Sequence, residues 1–297
     1  MKQLNLKVNN VSIRRYSGRI TSVLIILFWF TSTTQAQLLI PELSFKNPLL
    51  KTGKGMPGDG LDGAVYVFEN VGWDMDALVT IMGRSSAAVT LSSADIMGPE
   101  QNPSKGTGFD NAWQPGVKYG DGRAEANQEW WMEFKILFVL HDDNRTFMPV
   151  NQFFISGLDI DGDGEKLHEF QAYYKTQSYK LDRQTAIYAS SVKGSETDPL
   201  LSGKRFDGPV KNYPGISVSA EDASVSIFYS GCPSLIVRLG ADTGNQATAK
   251  ADRMYSMLFK SLAFGVPVIR KETLNLIASS PNKNGKNVRW LYTENNK

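Results

Sequence analysis

The sequence predicts an all-β protein, a two-sheet antiparallel β-sandwich of the jelly-roll kind, and three observations support this fold class. Short runs rich in Val, Ile, Phe, Tyr and Thr recur along the chain, separated by turns rich in Gly, Pro, Asn and Asp. Apolar residues at helical 3.6-residue spacing are scarce. The 297 residues include 26 Gly, 15 Phe and 11 Tyr, a composition that favours strands and tight turns. Many short strands with regular turn signals are typical of sandwiches and jelly rolls.

The strongest predicted strand is Glu129–Leu140, because its two faces differ in chemistry. The even-numbered positions from Trp130 to Leu140 are all apolar, whereas the odd-numbered positions mix charged and apolar residues. Side chains alternate between the two faces of a strand, so the even-numbered face is expected in the core. Further strands are predicted at 64–71, 77–82, 87–91, 153–158, 167–174, 186–190, 216–219, 224–229, 235–239 and 255–264. Residues 92–123 are rich in Gly, Pro, Asn, Asp and Ser and are predicted to form long loops.

Residues 1–36 have the features of a secretory signal peptide. Basic residues precede an unbroken apolar run at 23–30, and Thr34-Gln35-Ala36 places small residues at positions −3 and −1 of a cleavage site. The run is short for a membrane span, although an uncleaved anchor is the alternative. We predict a mature chain that begins at Gln37, is secreted or held at the cell surface, and has no transmembrane segment.

Charge and cysteine content exclude some classes of function. The chain has 32 Lys+Arg and 30 Asp+Glu; five of the basic residues and no acidic ones lie in the leader, so the mature chain would hold 27 against 30. This balance gives no reason to expect a nucleic-acid partner. Cys232 is the single cysteine, so intrachain disulfides and Cys-rich zinc sites are excluded. We interpret Cys232 as a small buried apolar residue.

The most distinctive chemical pattern is an acidic loop that follows the predicted strand 153–158. Asp159, Asp161, Asp163 and Glu165 alternate with other residues, and Gly162 and Gly164 lie among them. Hard cations such as Ca²⁺ take oxygen ligands at this spacing. An EF-hand would need a glutamate at position 12 of the loop, which is Phe170 here, with Glu169 one residue early.

We therefore predict a calcium site on a hairpin between two strands, with a second group of ligands nearby. Its candidate ligands are Asp159, Asp161, Asp163, Glu165, Glu169 and Asp76. Asp76, together with Asp74, lies at the start of another predicted strand. The alternative is a polar hairpin loop in which Asp and Gly serve turn geometry alone.

Other residues suggest weaker alternatives. Glu129 and Glu133 could form the carboxylate pair of a carbohydrate-active enzyme, but positions i and i+4 of a strand lie roughly 13 Å apart, beyond the usual separation of about 5–9.5 Å. His141 and His168 are too few for a histidine-rich metal centre, and no common catalytic motif occurs. The aromatic residues Trp113, Trp130, Trp131 and Tyr119 could stack on sugar rings if exposed, or form the core if buried.

The C-terminal segment resembles the start of the linker-like β domains of exported Bacteroidota proteins. The resemblance rests on Val266-Pro267-Val268, on Asn284-Gly285 and on the run from Trp290 to Asn296. It implies a β-sandwich domain over residues 37–265 and a tail over 266–297 that begins a second, incomplete domain.

The body of the chain is similar to poorly characterised domains of bacterial surface and adhesin-like proteins. The motifs Phe68-Glu69-Asn70-Val71, Asp76–Ile81, Glu133–Leu140, Leu158–Gly162 with Glu169-Phe170, and Arg253–Phe259 occur in that order. The resemblance implies an extracellular β-sandwich. We thus expect a calcium-stabilised, non-catalytic binding or adhesion module whose ligand is an extracellular glycan or protein; the alternative function is a glycoside hydrolase-like enzyme.

Overall fold

The computed structural model describes residues 40–96, 111–143, 145–213, 215–216, 219–248, 251–272, 275–276 and 292–293. The predicted signal peptide lies outside the described residues. Within them the only helical element is a 3-10 turn at Glu221–Ala223, and no helix is long and apolar enough to cross a membrane. The strands are β1 (Leu49–Leu50), β2 (Val65–Gly72), β3 (Met75–Arg84), β4 (Val89–Ser93), β5 (Gly116–Tyr119), β6 (Glu129–Leu140), β7 (Val150–Leu158), β8 (His168–Tyr174), β9 (Ser178–Asp182), β10 (Tyr188–Lys193), β11 (Ser202–Asp207), β12 (Val225–Cys232), β13 (Ser234–Asp242), β14 (Asp252–Met254), β15 (Ser256–Leu258), β16 (Pro267–Lys271), β17 (Asn275–Leu276) and β18 (Tyr292–Thr293).

Two antiparallel sheets form the sandwich, as the sequence predicts. The larger sheet has the strand order β1-β2-β3-β6-β13-β8-β11-β10, and the smaller has the order β15-β7-β12-β9-β16. A third sheet, β14-β5-β4, lies beside them, and β17 and β18 form a two-residue pair. The chain crosses repeatedly between the two main sheets, so sequence neighbours such as β7 and β8 belong to different sheets.

The alternation of side chains on β6 explains how the core is built. Trp130, Met132, Phe134, Ile136 and Phe138 are each at most 1% exposed, as the pattern predicts. The rings of Phe138 on β6 and Phe153 on β7 meet edge to face at 5.5 Å between centroids. Because these strands belong to the two different main sheets, this contact joins the facing layers of the sandwich.

The prediction of loops alone over 92–123 is wrong within its described part. Gly116–Tyr119 forms β5, which pairs with β4 and β14. The strand is only four residues long and follows a proline, so its sequence looks like a loop. Gly116 packs closely against β4, because a Cβ atom there would meet the hydroxyl of Ser92, which would have to move.

Several other strand predictions need correction. The strand predicted at 255–264 is interrupted, with β14 ending at Met254 and β15 covering only Ser256–Leu258. Of the strand predicted at 216–219, the two described residues, Ile216 and Ser219, are not in a strand. The sequence also misses β9, which is short, and β11, in which Phe206 is the only large apolar residue.

The predicted domain boundary at residue 265 falls inside the sandwich. Strand β16, Pro267–Lys271, pairs with β9 along five residues at the edge of the smaller sheet. The first part of the predicted tail is therefore part of the first domain. The motifs around Asn284-Gly285 and Trp290 lie outside the described residues.

Candidate functional site

The acidic loop connects the two main sheets of the sandwich. It leaves β7 of the smaller sheet at Leu158 and enters β8 of the larger sheet at His168. The prediction of a hairpin is therefore wrong, because β7 and β8 pair with other strands and not with each other. Asp159 adopts a left-handed backbone conformation, with φ of 55°, which turns the chain away from β7.

Backbone hydrogen bonds hold this loop against the segment that follows β11. The amide of Gly162 donates to the carbonyl of Lys211 at 3.0 Å, and that of Gly164 donates to the carbonyl of Val210 at 2.8 Å. The acidic loop and the segment after β11 approach so closely that a Cβ atom on Gly162 would collide with the Val210 carbonyl. The loop is thus fixed by main-chain contacts and by the absence of a side chain at Gly162.

Asp159, Asp161 and Glu169 line a cavity of about 260 Å³ at this end of the sandwich. Arg253, from β14 of the third sheet, enters the same cavity. Its Nε donates to Glu169 Oε1 at 2.5 Å, and its Nη2 donates to Asp161 Oδ1 at 3.0 Å. Asp161 Oδ2 also accepts the backbone N–H of Tyr213 at 2.7 Å. We call this group, with its walls, the acidic cavity; the other lining residues are Asn212, Tyr213, Gly215, Ile216, Asp252 and Met254.

Two carboxylate oxygens of the acidic cavity have no hydrogen-bond partner among the residues that the structure describes. They are Oε2 of Glu169 and Oδ1 of Asp159, and both atoms are buried. Glu169 is 1% exposed, as is Asp161. A buried carboxylate oxygen without a donor has lost its hydration and gained nothing in exchange. Burial without a donor therefore favours the protonated, uncharged form of these carboxyl groups.

The pKa values of the three carboxyl groups are displaced in the direction that this geometry requires. Burial raises the pKa of Glu169 to about 8, although the charge of Arg253 opposes the shift. Burial and the neighbouring charge of Asp161 raise the pKa of Asp159 to about 7. Burial also raises the pKa of Asp161 to about 6, against the Tyr213 amide and Arg253. One guanidinium does not neutralise these three carboxyl groups, two of them buried and one partly buried, so the group retains protons near neutral pH.

The remaining loop acids point elsewhere. Asp163 Oδ1 accepts the backbone N–H groups of Glu165, Lys166 and Leu167 at 2.8–3.0 Å, and its Oδ2 accepts the Thr248 hydroxyl at 2.9 Å. Burial opposes the charge of Asp163, but these hydrogen bonds prevail and lower its pKa to about 2. Asp163 thus stabilises the turn, which is the role that the alternative prediction of a polar loop without metal gives to it. The side chain of Glu165 is exposed.

Asp76 lies far from the acidic cavity, contrary to the expectation that it could join the loop. Asp76 on β3 pairs with Val139 near the end of β6. Glu169 on β8 pairs with Ala241 on β13, which in turn pairs with Trp130 near the start of β6. Nine residues along β6 correspond to roughly 30 Å. Asp76 Oδ1 instead contacts His141 Nδ1 at 2.8 Å, and this hydrogen bond raises the pKa of His141.

The six predicted metal ligands therefore occupy separate places, and only Asp159, Asp161 and Glu169 share one cavity. Among the residues that the structure describes, no three acidic, histidine or cysteine side chains are placed to hold one metal ion. His168 lies beside the loop, but its closest acidic contact is Asp207, at 4.0 Å.

The two glutamates considered for glycoside hydrolysis are each engaged by a different arginine. Glu129 Oε2 contacts Arg205 Nη1 at 2.5 Å, and Glu133 Oε2 contacts Arg238 Nη2 at 2.8 Å. Glu133 is completely buried and also accepts the backbone N–H of Glu196. A substrate in a cleft could not reach both carboxylates in this arrangement.

The aromatic residues that the sequence suggests for sugar stacking are largely covered. Trp113 and Trp130 are at most 1% exposed, and the guanidinium of Arg238 lies 3.9 Å from the Trp131 ring. Exposed aromatic residues in the described part of the chain are Trp73, 93% exposed at the β2–β3 turn, Tyr188, 71% exposed on β10, and Phe147, 62% exposed before β7.

Sequence reasoning also missed Arg253 as a site residue. It lies 84 positions beyond Glu169, and nothing in its local sequence separates it from other strand arginines.

Cys232 is partly buried, and burial raises the pKa of its thiol. The sequence predicts a buried residue, whereas Cys232 is only partly buried; its raised pKa disfavours the thiolate form that a nucleophile needs.

The comparisons with known proteins assign no family to this chain. No protein-family model matches it, and no curated protein matches it.

Proposed function

We propose that the chain is a secreted or cell-surface, non-catalytic binding module whose ligand site is the acidic cavity. The observation that carries this proposal is the set of three carboxyl groups, those of Asp159, Asp161 and Glu169, that line an open cavity beside the guanidinium of Arg253. Carboxyl groups whose pKa values are displaced by burial and by neighbouring charges often lie at functional sites. A positive ligand group near them would lower the electrostatic cost of ionising these carboxyl groups.

The contacts of Arg253 favour binding over catalysis. A glycoside hydrolase places its two carboxyl groups on opposite sides of the scissile bond. Here Asp161 and Glu169 are both bound by one guanidinium, which holds them on the same side of the cavity. This arrangement can attract a cation, but it does not bracket a glycosidic bond.

Export of the protein is part of the proposal and has its own test. It rests on the basic lead, the apolar run at 23–30 and Thr34-Gln35-Ala36. Mass spectrometry of the protein exported by a bacterial host should show an N-terminus at Gln37. A chain that retains residues 1–36 would contradict cleavage.

Ligand binding is tested by the thermal unfolding of the wild-type protein with and without added cations. A ligand that binds only the folded state stabilises it by about 2.7 kcal/mol at a hundredfold excess over its Kd. We expect a cation-dependent rise in Tm that Asp159→Asn abolishes and Glu165→Gln retains, because Glu165 is exposed. Calcium chloride and a chelator form one arm, since the loop spacing predicts calcium.

A parallel assay addresses the enzymatic alternative. The protein is incubated with soluble polysaccharides, and released reducing ends are measured. Release that Glu169→Gln abolishes, in a protein whose Tm does not respond to cations, would overturn the binding-module proposal in favour of a carbohydrate-active enzyme.

A further inference from the structure

A second cavity lies at the opposite end of β8 from the acidic cavity. Its volume is about 250 Å³, and it is lined by the β8–β9 connection, the start of β11 and the turn that joins β12 to β13. Lys175, which follows β8, lies six residues beyond Glu169, a distance of roughly 20 Å along an extended chain. We call this site the lysine cavity, because Lys175 is the only charged side chain among its described lining residues.

The ammonium group of Lys175 is accessible and has no counter-ion within the described part of the chain. The residue is exposed, and its side chain forms no ion pair or hydrogen bond with another described residue. Burial raises the pKa of the Cys232 thiol, and the charge of Lys175 acts in the opposite direction, so the ammonium lies close to Cys232 on the cavity wall. An anionic group that enters the cavity would be attracted by this charge, and a cation would be repelled.

Three serines add hydrogen-bonding capacity beside the charge. Ser202, Ser230 and Ser234 line the lysine cavity and are each partly exposed. Their hydroxyls form no hydrogen bond to any residue that the structure describes. A serine hydroxyl can both donate and accept, so these groups are suited to the hydroxyl groups of a ligand.

The walls of the lysine cavity are ordered before a ligand binds. The side chain of Gln177 donates from Nε2 to the carbonyl of Ser230 on β12 at 3.2 Å. The backbone N–H of Lys175 donates to the carbonyl of Ser202 on β11 at 3.0 Å. These bonds fasten the β8–β9 connection to both main sheets, so binding here requires little additional ordering of the protein.

The size of the cavity and its single charge restrict the class of ligand. A volume of about 250 Å³ is below the range of roughly 300–1,000 Å³ typical of drug-sized sites. One ammonium balances one negative charge, which a carboxylate supplies. Phosphate is usually bound by arginine or by a helix N-terminus, and the described lining residues provide neither.

We propose that the lysine cavity binds a small hydroxylated monocarboxylate, such as a uronic acid residue of a glycan, whose carboxylate pairs with Lys175. The three serines would then contact the ligand's hydroxyl groups. The site is separate from the acidic cavity, so the proposal does not depend on the ligand proposed there.

The single cysteine of the chain provides a direct test, because Cys232 lines the same cavity. Alkylation of the intact protein by uncharged iodoacetamide is followed by mass spectrometry at pH 8.5 with increasing concentrations of a probe. The probes are methyl β-D-glucuronide, the uncharged methyl β-D-glucoside, hexanoate, which lacks hydroxyls, and inorganic phosphate. We expect the glucuronide to slow alkylation at least threefold at saturation, and the other three probes to protect the thiol more weakly.

Two variants test the role of the charge. Lys175→Gln should raise the glucuronide concentration that gives half-protection at least fivefold. Lys46→Gln should leave it unchanged, because Lys46 is exposed and is not among the described residues that line the lysine cavity. Half-protection is compared within each variant, since removing the charge of Lys175 also changes the reactivity of the thiol. Saturation-transfer difference NMR with the same probes measures binding independently of thiol access.

Each contrary outcome overturns a defined part of the proposal. Equal binding of hexanoate and glucuronide would reject a hydroxylated ligand, and equal binding of glucoside and glucuronide would reject the pairing of a carboxylate with Lys175. Phosphate binding as tight as that of the glucuronide would indicate a general anion site. Equal loss of affinity in Lys175→Gln and Lys46→Gln would reject the lysine cavity as the site. Absence of binding by all four probes in both measurements would overturn the proposal and leave that for the acidic cavity standing.

Discussion

Replacing Asp159 by Asn is expected to stabilise the ligand-free protein at high pH. Oδ1 of Asp159 is buried without a partner, and burial together with the charge of Asp161 raises its pKa from 3.8 to about 7. Asn has the same shape and no charge. It also tolerates the left-handed backbone conformation, with φ of 55°, that Asp159 adopts.

The sign of the pH dependence follows from proton linkage. Between about pH 4 and pH 7 the unfolded chain has lost the proton of Asp159 while the folded protein keeps it. The folded state then binds more protons, so the free energy of unfolding falls as the pH rises through this window and stays low above it. A pKa difference of about 3 corresponds to roughly 4 kcal/mol. Because Asp159 is only partly buried, solvent reduces this, and we expect a gain of roughly 2–4 kcal/mol from Asp159→Asn at pH 8.

Urea unfolding of the wild type, Asp159→Asn and the exposed control Glu165→Gln at pH 4 and pH 8 measures this gain. At pH 4 the wild type and Asp159→Asn should be nearly equal in stability. At pH 8 Asp159→Asn should have the higher urea midpoint, with an unchanged dependence of the free energy of unfolding on urea concentration. The control should follow the wild type at both pH values. Equal stability of Asp159→Asn and wild type at pH 8, or the same gain at both pH values, would refute the assignment of a buried, unpaired charge to this residue.

Three further outcomes are expected. Trp113→Ala should lower the free energy of unfolding by about 3–5 kcal/mol because the indole is buried, whereas Trp73→Ala should change it by less than about 0.5 kcal/mol; similar urea midpoints for the two variants would contradict this. Gly240→Ala should destabilise by about 1–3 kcal/mol, because its new Cβ would meet the neighbouring strand's carbonyl and a ring carbon of Phe170; an unchanged midpoint would show that β13 can shift. In an NMR titration, Asp76→Asn should lower the raised pKa of His141; an unaltered titration curve would place the cause elsewhere.

Local patterns predict much of this fold, because they depend only on alternation and turn chemistry. The two faces of Glu129–Leu140 specify the strand and its buried side, and the structure has the same bounds. Polar or short strands such as β5 and β11 lack that contrast. They form because neighbouring strands offer hydrogen-bonding edges, which depends on tertiary structure.

The acidic loop shows why the candidate site was only partly predictable. The spacing of Asp159, Asp161 and Glu169 indicates a polar site, and the structure does bring these three together. Their partner Arg253 comes from a different sheet. The inclusion of Asp76 failed because the register of β3 on β6 places it at the opposite end of the same sheet.

The backbone bonds that fasten the acidic loop to residues 210–211 have a consequence for how fast a ligand could bind. A receptor whose rim is already ordered loses little conformational entropy on binding. Association then requires no rearrangement of the loop, and its rate is set by diffusion and by the attraction of the acidic groups. Selectivity among ligands of the proposed binding module would accordingly reside in the dissociation rate.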